Sequence, residues 1–147
     1  MRKDSGFTLI ELLIVVAIIG IFAAIAIPNL LNAIDRSKQK RTMADIRSIG
    51  TACEEYSIDN NFYPAQASGT VSGITSTLEP MYIKVTPLKD GWNYDIQYGQ
   101  PNTSSYTVRS YGKDGTSDAS VGQTTDFDDD IIFSVGQFTA WPSGVQQ

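Results

Sequence analysis

Histidine is absent from this 147-residue chain, and cysteine occurs once. Without histidine the usual general base and the commonest metal ligand are gone. A single cysteine, Cys53, excludes an internal disulfide. Basic residues are also scarce: 11 Lys and Arg stand against 16 Asp and Glu, a formal net charge of −5. That balance argues against nucleic-acid binding, which needs a basic footprint. No nucleophile motif and no internal repeat is present. Clustered carboxylates are the one resource for catalysis, and they lie beside no evident sugar-binding cleft. The chain therefore reads as a non-enzyme. Its length suits one domain plus an anchor.

Charge is also missing from one long stretch. Between Phe7 and Ile27 the single ionisable side chain is Glu11. About 21 residues at 1.5 Å each cover roughly 30 Å, one hydrocarbon thickness. A secretory signal, with Arg2 and Lys3 before the core and Ala24-Ile25-Ala26 as cleavage site, is one reading. The run is long for such a core, and Glu11 interrupts it early. A plain membrane anchor explains the length but not Glu11. An ionisable residue in a span-length apolar helix marks a functional site by default. The polar head start, Met1 to Gly6, reads as removable. Counting Lys and Arg, the cluster Arg36, Lys38, Lys40 and Arg41 after the span opposes a cytoplasmic N-terminus.

Helix is expected to continue through Pro28, with a kink. Beyond it Ile34, Met43, Ile46, Ile49, Cys53 and Tyr56 recur at helical intervals and form one apolar stripe. The helix should stop near Asn60-Asn61, before Pro64. Phe7 to Asn60 would then span roughly 80 Å. The remaining residues, 61–147, read as a head. Ala65 to Thr77 is loop-like in composition, and Met81-Tyr82-Ile83 is a short strand or the end of a helical turn. Trp92 to Tyr98 and Tyr106 to Tyr111 alternate apolar and polar residues, which predicts a hairpin turned at Gly99 to Ser104. Ile131 to Val135 predicts a third strand. A one-faced sheet needs cover. The stripe supplies it, burying Trp92, Tyr94, Ile96, Val108 and Ile46 together. The fold class is α+β, a long helix on a small antiparallel sheet.

The loop 112–130 carries Asp114, Asp118, Asp126, Asp128, Asp129 and Asp130, with no base after Lys113. Oxygen ligands of this kind suit a hard cation such as Ca²⁺. The EF-hand template fails: counted from Asp126 its sixth position is Ile131, and counted from Asp114 it is Ala119, where glycine is required. A solvated acidic loop remains the other reading.

Gly6-Phe7-Thr8-Leu9-Ile10-Glu11, followed by the apolar run and Pro28-Asn29-Leu30, resembles the N-terminus of type IV pilins and type II secretion pseudopilins. The resemblance implies cleavage after Gly6 by a prepilin peptidase and methylation of the new Phe7 amine. It implies assembly into a homopolymeric helical filament, with Glu11 paired to Phe7 of a neighbour and Pro28 shaping the core helix. The leader would be residues 1–6, the long helix 7–60 with its membrane or filament-core segment 7–27, and the head 61–147. An inner-membrane assembly platform and minor pilins or pseudopilins are the further partners it implies. The leader would stay cytoplasmic and the head periplasmic, with one pass through the bacterial inner membrane. The filament would lie in the periplasm or at the cell surface.

Ser110-Tyr111-Gly112-Lys113-Asp114-Gly115 with the later Asp129-Asp130-Ile131 is similar to the C-terminal calcium loop of major pseudopilins. Asp90-Gly91-Trp92-Asn93 and Tyr63-Pro64 resemble that family too. Carried over, Asp114 and Asp129 or Asp130 would bind Ca²⁺ through side chains, and Tyr111 and Thr116 through nearby backbone carbonyls. Two departures stand out. An insert around Ala119 to Thr125 makes Asp118, Asp126 and Asp128 rival ligands, and a tail runs from Gly136 to Gln147. The resemblance therefore implies a major pseudopilin of type II secretion. A type IV pilin for adhesion or motility is the near alternative, and an anchored binding domain that does not polymerise is the remote one.

Overall fold

The computed structural model describes residues 6–119 and 121–143. Met1 to Ser5 of the expected leader lie outside the described residues. The chain divides into two compact units, Met1–Asp35 and Arg36–Gln147. One helix, α1 (Leu9–Asn60), contributes to both, and its end agrees with the stop expected before Pro64.

In the first unit α1 passes Pro28 without a break. Next to the proline, the Asn29 Nδ2 group donates to the Ile25 carbonyl at 3.1 Å. The large apolar side chains from Phe7 to Ile34 are exposed. Their segment is long and apolar enough to cross a membrane, and none of it is buried.

In the second unit the stripe does its predicted work. Met43, Ile46, Ile49 and Cys53 are buried against a six-stranded sheet. The strands are β1 (Gly69–Thr70), β2 (Gln97–Asn102), β3 (Ser105–Ser110), β4 (Gly122–Thr124), β5 (Ile131–Ser134) and β6 (Gln137–Pro142). Their order is β1-β2-β3-β5-β6-β4, antiparallel except where β4 runs parallel to β6. Tyr98, Tyr106, Val108, Ile131 and Phe133 meet the helix stripe, and Val71, Ile74 and Leu78 close one end of the core. Burial pushes the Cys53 thiol up to about 12, so it is an inert apolar filler. The phenols of Tyr98 and Tyr106, also raised by burial, donate to the carbonyls of Pro64 at 2.8 Å and Gly50 at 3.1 Å.

Several segments depart from the sequence reading. Trp92 to Ile96 is a turn with one isolated bridge, Lys89 to Asp95, and strand begins at Gln97. Tyr94 is exposed and Trp92 only partly buried, whereas Ile96, Val108 and Ile46 share the core as expected. Gly99 to Asn102 is strand, with an irregular register against β3, so the hairpin turns at Thr103-Ser104. Ala65 to Thr77 holds β1, a 3-10 turn (Val71–Ile74) and the start of α2 (Thr75–Leu78). Met81-Tyr82-Ile83 is the end of that helical turn, since the amides of Tyr82 and Ile83 reach the Leu78 carbonyl. Ile34 is exposed, at the upper margin of the stripe.

The insert and the tail prove to be one feature. Strand β4 lies inside the insert, β6 lies inside the tail, and the two pair with each other. Ala140 of β6 is fully buried. Phe138 packs edge-on against Phe133 at 4.9 Å, with the Arg47 guanidinium 5.3 Å from its ring centre. Strand β6 also turns back on β5 and alternates polar and apolar residues from Gln137 to Ala140, whereas the short β4 has no alternation and is held at the sheet edge by β6.

Gly50 shows how tightly sheet and helix meet. A Cβ at this position would collide with the Phe133 ring, which is itself buried against Phe138. Helix propensity favours Gly50→Ala by about 1 kcal/mol. Overpacking a core costs about 1–3 kcal/mol. A net loss of about 1 kcal/mol is expected, read as a lowered melting temperature.

Candidate functional site

Two places concentrate the chemistry, one in each unit. At the start of α1, Glu11 Oε2 accepts hydrogen bonds from the Thr8 amide at 2.9 Å and the Thr8 hydroxyl at 2.7 Å. The Thr8 hydroxyl accepts in return from the Glu11 amide at 3.3 Å. This is a capping box, Thr-x-x-Glu, which satisfies donors that a helix start leaves orphaned. Phe7 and Glu11 are both exposed, on a surface that is otherwise apolar. The sequence pointed to Glu11 through its charge but did not reveal that its carboxylate closes its own helix.

The second place is the acidic loop. Its neck is built around Asp90, which is buried and accepts from the amides of Trp92 and Tyr94 at 2.9 Å each. Its other oxygen accepts from the buried Ser110 hydroxyl at 2.6 Å. Gly112 follows at φ +68°, and a Cβ there would strike the carbonyls of Asp128 and Asp129. The Lys113 amide donates to the Phe127 carbonyl at 2.9 Å. The two ends of the loop are thus held side by side.

The aspartates fall into three environments. Asp114 turns back on Thr116, whose amide and hydroxyl hold its carboxyl below the ordinary range. Asp126 and Asp129 form a local turn, with the Asp126 amide on Asp129 Oδ2 at 3.1 Å. The Asp128 amide reaches Asp126 Oδ1 at 3.4 Å, and both Asp126 and Asp128 are exposed. Asp130 alone is fully buried. Its Oδ2 accepts from the Asp118 amide at 3.0 Å and lies 3.7 Å from Arg109 Nη1, while Oδ1 has no hydrogen-bond partner among the described residues. Burial pushes its pKa up to about 6, opposed by the Asp118 amide and Arg109 and assisted by the charges of Asp118 and Asp114.

Asp130 thus feels the repelling charges of Asp118 and Asp114, while Asp126, Asp128 and Asp129 share a local turn. Tyr111 is half-buried beside the neck, and Thr116 is exposed. Among the described residues no three carboxylates converge as a finished metal cage. A buried, unpartnered carboxylate oxygen is nonetheless a costly feature unless something compensates it. A hard cation with further backbone or water oxygens fits that need. Arg109, Ser117 and Asp90 were missed as members of this site. Arg109 occupies an outward position of a predicted strand, and only the fold shows what it reaches.

Residues 29–131 match the family of type II secretion system protein G, and residues 1–27 match the prokaryotic N-terminal methylation motif. Type II secretion system core protein G of Vibrio cholerae is 36% identical over 124 residues, covering 78% of this chain and 84% of that protein. The core protein G of Pseudomonas aeruginosa is 35% identical over 130 residues, covering 80% and 91%. That of Aeromonas hydrophila is 34% identical over 124 residues, covering 78% and 86%. These likenesses favour the pseudopilin over the type IV pilin and over an anchored domain that does not polymerise. Strand β6 lies beyond the matched segment. With its methylation motif, membrane-length apolar segment and helix-on-sheet head, the chain belongs to the type II secretion system protein G family, the major pseudopilins, which are structural subunits and not enzymes.

Proposed function

We propose that the chain is cut after Gly6 by a prepilin peptidase, methylated at the Phe7 amine, and held in the bacterial inner membrane by residues 7–27 with its head in the periplasm. From there an assembly platform adds it to a homopolymeric pseudopilus, joined by minor pseudopilins, that drives protein export. The observation that carries this reading is Glu11, the single charge in an exposed apolar segment. In a filament core its carboxylate requires a cation. The Phe7 amine of a neighbouring copy is the nearest chemical match, and Pro28 shapes the helix that brings the copies together. Within one copy, the bonds from Thr8 keep the carboxylate satisfied before a neighbour arrives.

The same reading extends to the loop. Asp130, with Asp114 and Asp118, would hold a Ca²⁺ ion, with Asp129 and the carbonyls near Tyr111 and Thr116 as further donors. The ion would neutralise the buried carboxylate and tie the loop down. A small head without a disulfide gains from such a tie.

Intact mass and N-terminal sequencing of the protein purified from its native membrane test the processing. The expected chain begins at N-methylated Phe7. A chain beginning at Ile27 would mean ordinary signal cleavage, and would remove the Glu11 mechanism along with the anchor.

A further inference from the structure

We propose that Arg109 is a built-in counter-cation of the acidic loop, holding Asp130 when no metal is bound and lowering the loop's affinity for a divalent cation. This rests on the reading above that the loop binds such an ion.

The argument starts from β3. Tyr106, Val108 and Ser110 point into the core, so Arg109 stands on the outer face, opposite Ile132 of β5. Asp130 precedes Ile132 by two residues and is fully buried. From its place on the sheet the Arg109 Nη1 group donates to Ser117 Oγ at 3.0 Å and lies 3.7 Å from Asp130 Oδ2. One guanidinium thus touches an early residue of the loop and its last. Its side chain is 32% exposed, so the pair is only partly screened by water.

The two oxygens of Asp130 are treated differently. Oδ2 has the Asp118 amide and Arg109, and Oδ1 has no hydrogen-bond partner among the described residues. A divalent cation that takes Oδ1 meets a carboxylate whose charge is already shared with a guanidinium that cannot deprotonate. It must tolerate that like charge or displace it, and either route weakens binding. In the metal-free chain the same guanidinium keeps Ser117 and Asp130 together. Arg109 therefore acts with opposite sign on the two states. It stabilises the empty loop and opposes the filled one. A purely structural arginine would act with one sign, since a loosened loop would bind calcium worse.

The test uses the full chain in detergent micelles at fixed ionic strength. Calcium chloride is titrated by calorimetry, and thermal melts are recorded in EGTA. For Arg109→Gln the expected result is a Kd for calcium at least tenfold tighter than wild type, together with a lower melting temperature in EGTA. Arg109→Lys keeps the charge and should stay within about threefold of the wild-type Kd. Should the Gln variant lose its near-ultraviolet circular dichroism, Arg109→Met, which keeps the packing stem, takes its place. An unchanged or weaker calcium affinity on losing the charge overturns the role of Arg109 while leaving calcium binding intact. No calcium binding by wild type and variants alike overturns the cation reading itself.

Discussion

Replacing Glu11 by valine should abolish filament assembly while leaving the chain in the membrane. The two environments respond in opposite directions. In the bilayer the substitution exchanges an ionisable group for an apolar one and makes residence more favourable. In the filament core proposed above it would leave the amine of a neighbouring Phe7 without its counter-charge, and breaking one side of a buried pair is strongly unfavourable. Both changes push the subunit back into the membrane. Sheared filaments should fall by at least about a hundredfold, since a polymer repeats the loss at every contact. The valine variant also destroys the Thr8–Glu11 capping box, so a second variant is needed to separate the causes. Glu11→Gln keeps a residue that can close the box but carries no charge. If charge pairing drives extraction, the Gln variant fails as Val does. If the helix start is what assembly needs, the Gln variant makes filaments and the pairing mechanism falls. The assay is an immunoblot of sheared and cell-bound fractions, with total subunit level as control.

Much of this was legible from local pattern. Met43, Ile46, Ile49 and Cys53 announced a buried helix face because helical spacing leaves one face apolar. Tyr106 to Ser110 announced a half-buried strand, and its burial alternates as written. Trp92 to Ile96 carried the same alternation and is a turn. Asp90 accounts for the difference, since its carboxylate takes the amides of Trp92 and Tyr94 that a strand ladder would have used. Gly99 and Pro101 carried turn composition and are strand, placed where the register against β3 is irregular. Strand β4 was invisible because its partner, β6, lies across a gap in sequence that no local window spans, whereas β6 turns straight back on β5 at Val135-Gly136, a hairpin the sequence reading missed. At the loop, six aspartates of equal chemistry could not be ranked by spacing. What singles out Asp130 is its position at the entry of β5, whose Ile131 and Phe133 carry it into the core.

Asp90→Ala should cost the head about 3–5 kcal/mol, the largest stability loss expected from one polar substitution in this fold. Asp90 is 3% exposed and gathers three donors, two from its own turn and one from β3. Removing it leaves the amides of Trp92 and Tyr94 without their acceptor. Water can reach these in part, because Tyr94 is exposed. It cannot reach the Ser110 hydroxyl, which is fully buried. Hydrogen bonds to a charged group contribute about 1.5–3 kcal/mol each, and a buried orphaned donor adds its desolvation cost. A domain of this size has roughly 5–15 kcal/mol in all, and about 1 kcal/mol moves its melting temperature by about 4–8 °C. A fall of about 15–30 °C is therefore expected. The turn also docks on α1 through the Gly91 amide, which donates to Thr42 Oγ1 at 2.8 Å, so helix and sheet loosen together. Asp90→Asn keeps one acceptor oxygen but offers Ser110 a donor, and should lie between alanine and wild type. Lys89→Ala, next in the chain, removes an exposed ion pair with Asp95 and should shift stability by less than about 0.5 kcal/mol. That ordering, read from chemical melts of the three variants, separates a buried hub from a charged surface turn. If alanine at position 90 costs no more than alanine at 89, water reaches Ser110 and the neck of the acidic loop is held by something other than Asp90.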